Sequence, residues 1–304
     1  MKFELGIKTD CIESRYSFDW LFDLLAEEGI PNVQMGSFYE LYWVDDTYFA
    51  DLRRKAETCG LRIRSVFPTH RELCGFYHND PRMERAARRG FDRLLEVAAL
   101  VGADYAGSNP GAVLRDHPAE YKDIGFRCWL RHRKELSRQA RRLGLKALTI
   151  EPMSSLAEPP TTPDEIRQYI GALNDDHAAH PDDTLPTYLC GDTSHGLADA
   201  DKRVVHSNIE LFEMGIPMMC EFHIKNTDPI FNSTFGFSPE EKKKGIVSLE
   251  QIRDICHARA ADWPVETVVG YLEIPGPKLG RDYTDHLLGD LIRSSLRAIK
   301  EVFQ

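Results

Sequence analysis

Four short segments in the second half of the chain each end an apolar run on a residue able to bind a metal: LTIEPM, YLCGDTSH, MCEFHIKN and GYLEIPG. They supply Glu151, Asp192, His223 and Glu273. Three carboxylates and one imidazole form a complete ligand set for one hard divalent cation. Each residue alone has a plainer reading: Asp192, before Thr193, could cap a turn, and His223 could be a satisfied core histidine. As a set they point to a metal-dependent enzyme.

Positioning four such groups at one place is a demand on the fold. Short β-rich apolar runs alternate with longer helical patterns from one end of the chain to the other. The runs predict strands near Phe3–Ile7, Asn32–Gly36, Arg62–Phe67, Tyr105–Gly107, Ala147–Glu151, Thr187–Asp192, Cys220–Lys225 and Val268–Glu273. Between and after them the 3.6-residue period predicts helices over Trp20–Glu28, Asp46–Cys59, Pro81–Val101, Glu120–Leu143, Pro163–Leu173, Lys202–Met214, Ser248–Ala258 and Thr284–Val302. A strand followed by a helix is the repeat of a parallel sheet, and eight repeats can close into a single (β/α)8 TIM barrel. No Gly-, Ser- or Pro-rich linker interrupts the repeats, so one domain over 1–304 is expected. The four ligands then fall at the C-terminal ends of the fifth to eighth strands, which surround one mouth of a barrel. Aimed at one mouth, they would repel one another or stay unsatisfied without a cation.

Composition narrows the function classes. The chain has 304 residues, of which 42% are hydrophobic and 28% charged, as in a globular protein with a sizeable core. A net charge of −10 would repel a phosphodiester backbone, which argues against nucleic acid as a partner. The apolar runs are too short to span a membrane, and MKFELGIKTD reads as a first strand rather than a secretion signal, so a cytoplasmic location is expected. Seven scattered cysteines without a CxxC pair fit reduced thiols. Arg131, Arg133, Lys134, Arg138, Arg141 and Arg142 are spaced round one predicted helix and read as a solvated outer face. The long connection 226–245 carries Phe231, Phe235 and Phe237, which could close a lid, pack against a neighbouring subunit, or fold back on the barrel. Aromatic residues in loops could also build a homodimer or homotetramer interface.

The segments Ile150-Glu151-Pro152, Gly191-Asp192-Thr193-Ser194-His195, Phe222-His223-Ile224-Lys225 and Tyr271-Leu272-Glu273 resemble those of the xylose-isomerase-like barrel family of sugar isomerases and epimerases, above all its ketose 3-epimerases. The resemblance covers the whole chain in architecture and is specific in sequence for the second half. It implies one divalent metal, manganese first with cobalt or magnesium as alternatives, on Glu151, Asp192, His223 and Glu273. It also implies that His195 touches the substrate oxygen beside the reacting carbon, polarising the carbonyl. The plainer role for His195 is to orient Asp192.

The chemistry agrees with that assignment. Inverting carbon 3 of a ketose means removing a weakly acidic proton beside the carbonyl and returning one to the opposite face, which takes two bases. Glu151 and Glu273 would form that pair, exchanging roles with the direction of reaction. The family's free-sugar epimerases place an arginine several positions after the histidine ligand, where this chain reads Lys225-Asn226-Thr227-Asp228. Lys225, with Lys278 and Arg281 beyond the eighth strand, suggests a phosphorylated substrate, and short tetrulose phosphates such as erythrulose phosphate come first. Ser108 and Asn109 beyond the fourth strand could donate to an anion or to sugar hydroxyls, and His70, Tyr39 and Tyr42 could line the pocket.

Three rivals share the scaffold. An aldose–ketose isomerase of the hydroxypyruvate type or an inosose-type dehydratase would use the same metal. An endonuclease-IV-like DNA repair enzyme would need further early histidines and tolerance of a polyanion, which this chain lacks. A non-catalytic sugar-binding barrel would have no need of two opposed glutamates.

Overall fold

The computed structural model describes residues 1–36, 40–68, 75–275 and 282–303. Its strands are β1 (Lys2–Lys8), β2 (Asn32–Met35), β3 (Arg62–Val66), β4 (Tyr105–Gly107), β5 (Ala147–Ile150), β6 (Thr187–Asp192), β7 (Met219–Ile224) and β8 (Thr267–Leu272). Each is followed by a main helix: α1 (Phe18–Glu28), α2 (Asp46–Thr58), α3 (Pro81–Leu100), α4 (Pro118–Arg142), α5 (Pro163–Ala179), α6 (Asn208–Gly215), α7 (Leu249–Ala258) and α8 (Leu288–Phe303). The strands close in the order β1-β8-β7-β6-β5-β4-β3-β2, the barrel anticipated from the sequence.

By proximity the chain forms two compact units, Met1–Met35 with Leu52–Ile63 and Cys190–Gln304, and Gly36–Asp51 with Arg64–Leu189. In the first, β1 lies parallel between β2 and β8, with Gly6 opposite Asn32 and Leu5 opposite Gly270. There β8 also pairs with β7, setting Tyr271 beside His223. In the second, β4 lies parallel between β3 and β5, and β5 pairs onward with the start of β6. Most of these strands are buried on both faces, as a parallel sheet covered by helices requires.

Local chemistry sets the helix ends. Ser17 accepts from the Trp20 amide to start α1, and Gly29, at φ 65°, ends it in the left-handed conformation that glycine tolerates best. Thr162 and Glu165 form a capping box at the start of α5, with Pro163 in its first turn. Among the described residues, no helix is long and apolar enough to cross a membrane. The described cysteines are free thiols, and Cys74 lies outside the described residues.

The structure corrects two expectations and chooses among the alternatives of a third. Residues 202–207 are not helical: Leu197–Ala198 pairs antiparallel with Val204–His206, and α6 starts only after Ser207, whose hydroxyl accepts from Glu210 N. Asp199 Oδ1 accepts from Asp201 N and Arg203 N, and Lys202 adopts φ 63°, so local side-chain bonding and the β-branched Val204-Val205 pair override the helical period. Arg133 belongs to the core rather than to a solvated face, being 1% exposed. Its guanidinium lies 5.8 Å from the Trp129 ring and 5.9 Å from the Phe91 ring, its Nη2 donates to Thr149 O at 3.3 Å, and burial pushes its pKa down to about 9. Of the alternatives for the 226–245 connection, the structure shows the fold-back, on its own unit. Asn226 and Phe235 exchange backbone hydrogen bonds, Phe237 N donates to Ser295 Oγ at 2.9 Å, and Phe231 packs on Gly196.

Candidate functional site

Barrel strands place the four candidate ligand residues at their C-terminal ends. Asp192 ends β6 and His223 is the penultimate residue of β7, while Glu151 and Glu273 directly follow β5 and β8. The ladder holds the last turns of strand in register: Thr193 N donates to His223 O at 3.1 Å, and Glu273 N to Ile224 O at 3.1 Å. Thr193 Oγ1 binds both the amide and the carbonyl of Lys225, at 3.1 and 2.9 Å. Asp192, His223 and Glu273, all in the first unit, each offer a ligand atom, and these atoms lie within 4.8 Å of one another.

Bonds around His223 decide its chemistry. Its ring is 0% exposed, and Nε2 lies 2.7 Å from Gln34 Oε1 and 3.3 Å from Cys190 Sγ. An amide oxygen only accepts, so Nε2 carries the proton in this arrangement. Nδ1 then faces Glu273 Oε2 at 2.9 Å and Asp192 Oδ2 at 3.7 Å. A proton on Nδ1 makes the 2.9 Å contact a hydrogen bond to Glu273, and a divalent cation would take the place of that proton on the Nδ1 lone pair.

Asp192 is held on one side only. Oδ1 accepts from Ser194 N at 2.6 Å and Ser194 Oγ at 2.7 Å. Oδ2 is buried and accepts no aligned hydrogen bond among the described residues, although Lys225 Nζ lies 2.8 Å away and His195 Nε2 3.8 Å away. Burial pushes this carboxyl up, but the charges of His195 and Lys225 outweigh it and hold it below the usual carboxylate range. Glu273 accepts from Lys8 Nζ through Oε1 at 3.0 Å and from Lys225 Nζ through Oε2 at 3.2 Å. Burial raises its pKa, and Lys225, Lys8 and His223 together bring it well below the ordinary value. A buried oxygen without an aligned donor, an imidazole nitrogen and anionic carboxylates fit a divalent cation.

The remaining sequence-derived residues take varied places. Asn109 Nδ2 donates to Glu151 Oε2 at 3.1 Å, so it orients that carboxylate. Ser108 Oγ donates to Pro68 O at 2.8 Å, which uses its single proton. Lys225 stands among the candidate ligands, its ammonium on Asp192 and Glu273. His70, Tyr39, Lys278 and Arg281 lie outside the described residues.

Lys8 and Gln34 were not singled out from the sequence. Both leave a signal there: a lysine closes the first apolar run, and a glutamine interrupts the second, Asn32–Met35. A second group, Glu84, Cys128 and His132 on α3 and α4, also brings its donor atoms within 4.8 Å. Arg131 donates to Glu84 at 2.7 Å and Arg88 approaches His132 Nδ1 at 3.4 Å, so guanidinium cations already serve those atoms.

The family profile described as xylose isomerase-like TIM barrel matches residues 22–266. Comparison with curated proteins finds no match. Solved structures resemble the chain along nearly its whole length. A Rhodospirillum rubrum protein provisionally assigned as a xylose isomerase superposes with a TM-score of 0.79 at 20% identity, covering 99% of both chains. D-psicose 3-epimerase from Clostridium cellulolyticum, solved with D-tagatose, gives 0.73 at 12% identity and 99% of both chains. The 3-keto-D-glucoside 4-epimerase of Escherichia coli gives 0.63 at 13% identity, covering 99% of this chain and 100% of that one. At such identities the likeness is one of fold.

Proposed function

The chain belongs to the xylose isomerase-like TIM-barrel family, and from that premise we propose that it is a divalent-metal-dependent sugar epimerase acting at carbon 3 of a ketose. The observation that carries the reading is the meeting of Asp192, His223 and Glu273 at the ends of β6, β7 and β8, to which Glu151 at the end of β5 would add the second glutamate. A bound divalent ion, manganese first with cobalt or magnesium as alternatives, would supply Lewis-acid stabilisation of negative charge developing on adjacent sugar oxygens.

The chain's own groups do the rest. Glu151, oriented by Asn109, takes the carbon 3 proton from one face, and Glu273 delivers one to the other. In the reverse direction they exchange roles. Lys8 and Lys225 hold Glu273 as a carboxylate, the form that a base requires. His195, beside Asp192, donates a hydrogen bond to the substrate carbonyl. The substrate class is a small free or phosphorylated ketose, with erythrulose phosphate first among the latter. Because the Lys225 ammonium is engaged on Asp192 and Glu273, a phosphate would rely on Lys278 and Arg281.

The test is incubation in deuterium oxide with manganese and paired panels of free and phosphorylated short ketoses, followed by chelation and proton NMR. Deuterium at carbon 3 with inversion supports the proposal, and the panel identifies whether phosphate is required. Deuterium at carbon 1 or 2 with an aldose product moves the protein to the isomerases. Loss of water moves it to the dehydratases, and no exchange in any sample refutes sugar carbon-acid chemistry for these substrates.

A further inference from the structure

Lys225 holds an unusual place in the ligand cluster. Its side chain is 8% exposed, and its ammonium lies 2.8 Å from Asp192 Oδ2 and 3.2 Å from Glu273 Oε2. Those two oxygens are also the ones that face His223 Nδ1, at 3.7 and 2.9 Å. A divalent ion on this set would sit about 2.0–2.2 Å from oxygen or nitrogen donors. Nζ and such an ion would then be neighbouring positive charges in a buried space that screens them poorly.

The ammonium is also an imperfect partner here. Asp192 Oδ2 accepts no aligned hydrogen bond from it, while the other oxygen of that carboxylate accepts two from Ser194. Lys8 differs, since it approaches Glu273 through Oε1, on the side away from His223, and pairs with Asp10 at 2.9 Å. The lysines therefore divide the work. Lys8 braces Glu273 from outside the ligand cluster, whereas Lys225 uses the two oxygens that a metal would use.

We propose that Lys225 is a resident counter-cation that competes with the divalent ion for Asp192 Oδ2 and Glu273 Oε2. The inference rests on the metal-centred reading above. When the ion enters, Nζ leaves those oxygens with its proton, and no bond is made or broken in the lysine. While the ion is away, the ammonium offsets two buried carboxylates that would otherwise face each other uncompensated. The observed metal affinity is then the intrinsic affinity reduced by the fraction of molecules in which Nζ has withdrawn.

Calorimetric titration of chelator-stripped protein with Mn²⁺ or Co²⁺ tests this in wild type, Lys225→Met and Lys225→Arg. Removing the competitor should tighten metal binding by roughly tenfold or more in Lys225→Met. The same variant should unfold at a lower temperature without metal and gain more from metal than wild type does. Lys225→Arg keeps the charge and should bind no tighter than wild type. A lysine that merely braces the ligands predicts the opposite for Lys225→Met, namely affinity lost together with stability. Should that variant fail to fold without metal, wild-type protein carrying ¹³Cε-lysine can be titrated with diamagnetic Mg²⁺. The Lys225 resonance, assigned by its loss in Lys225→Arg, should then shift in proportion to occupancy. Metal binding by wild type with unchanged or weaker binding by Lys225→Met, or a stationary Lys225 resonance, overturns the competition alone. No binding by either protein overturns it together with the metal-centred function.

Discussion

Gln34→Leu isolates the orientation of one ligand from the rest of the site. Gln34 is fully buried in β2, and its Oε1 accepts from His223 Nε2 at 2.7 Å, which leaves Nδ1 to face Glu273 and Asp192. Leucine has nearly the same volume and no acceptor. Two costs follow. The substitution removes the amide oxygen that accepts from Nε2 and leaves the weak acceptor Cys190 Sγ 3.3 Å away, so the fold should lose ~1–2 kcal/mol, as for a lost hydrogen bond to a buried donor. In a chain of this size that lowers Tm by about 2–4 °C. The larger consequence is for metal binding. Without Oε1 to favour a proton on Nε2, a neutral imidazole can keep its proton on Nδ1, bonded to Glu273 Oε2 at 2.9 Å, which withholds the lone pair a metal would use. Partners that orient a ligating histidine typically affect metal affinity by about 10–100-fold, equivalent to ~1.4–2.7 kcal/mol. Titration calorimetry with Mn²⁺ on stripped wild type, Gln34→Leu and Gln34→Glu reads this directly, the last variant restoring an acceptor at the same place. If folded Gln34→Leu binds Mn²⁺ within twofold of wild type, Gln34 does not set the imidazole and the tautomer argument is wrong.

Glu151→Gln and Glu273→Gln should each lower net turnover by about 10²-fold or more, and one of them should still exchange deuterium at carbon 3 from one substrate isomer; near-normal turnover in both would remove the two-base assignment. Glu28 accepts from Arg297 at 2.9 and 2.6 Å and from Arg293 at 2.8 Å, and its pKa falls from 4.5 to about 2, the Arg297 bond outweighing burial, which raises it. A carboxyl depressed in the folded state contributes stability above its unfolded pKa and loses it as pH falls through the folded one. Because the Arg297 side chain is 66% exposed, the contribution is discounted to ~1–2 kcal/mol. Urea midpoints of Glu28→Gln and wild type should therefore differ at pH 7 and converge as pH falls from 4.5 toward 2; a constant gap would contradict the linkage. Gly107→Ala would place a methyl 2.1 Å from Thr149 Oγ1 and 2.4 Å from Thr149 O, on the neighbouring strand. The overlap should cost ~1–3 kcal/mol or more in a urea titration, and an unchanged midpoint would mean that β4 and β5 separate freely.

Much of the fold is legible in the sequence because period and punctuation agree. The apolar runs that predict strands over Tyr105–Gly107 and Thr187–Asp192 match the structure residue for residue, since their side chains are nearly all buried and the runs are bounded by turn chemistry. Residues 202–207 were misread because a local decision, the Asp199 turn and the Val204–Val205 pair, outweighed a weak helical period. Arg133 was misread because charge is usually a sign of solvent, while here a guanidinium between Phe91 and Trp129 keeps the charge inside. Among the site residues, ligand-competent types at strand ends announce Glu151, Asp192, His223 and Glu273. Lys8 and Gln34 carry no comparable mark, because a lysine or glutamine in a short strand has many ordinary explanations.

The sequence by itself determined the alternation of strand and helix, the closed barrel that eight such repeats favour, and the four residues at the ends of the last strands. Each depends on properties local to a segment: burial period, turn chemistry and side-chain type. Only the tertiary structure decided which groups surround the candidate ligands. It put Gln34 from β2 against His223 from β7, Lys8 from β1 against Glu273 after β8, and the Lys225 ammonium on Asp192 and Glu273. Those partners are up to 265 residues apart along the chain. Barrel closure and strand register bring them together, and neither can be read from the residues at any one strand end.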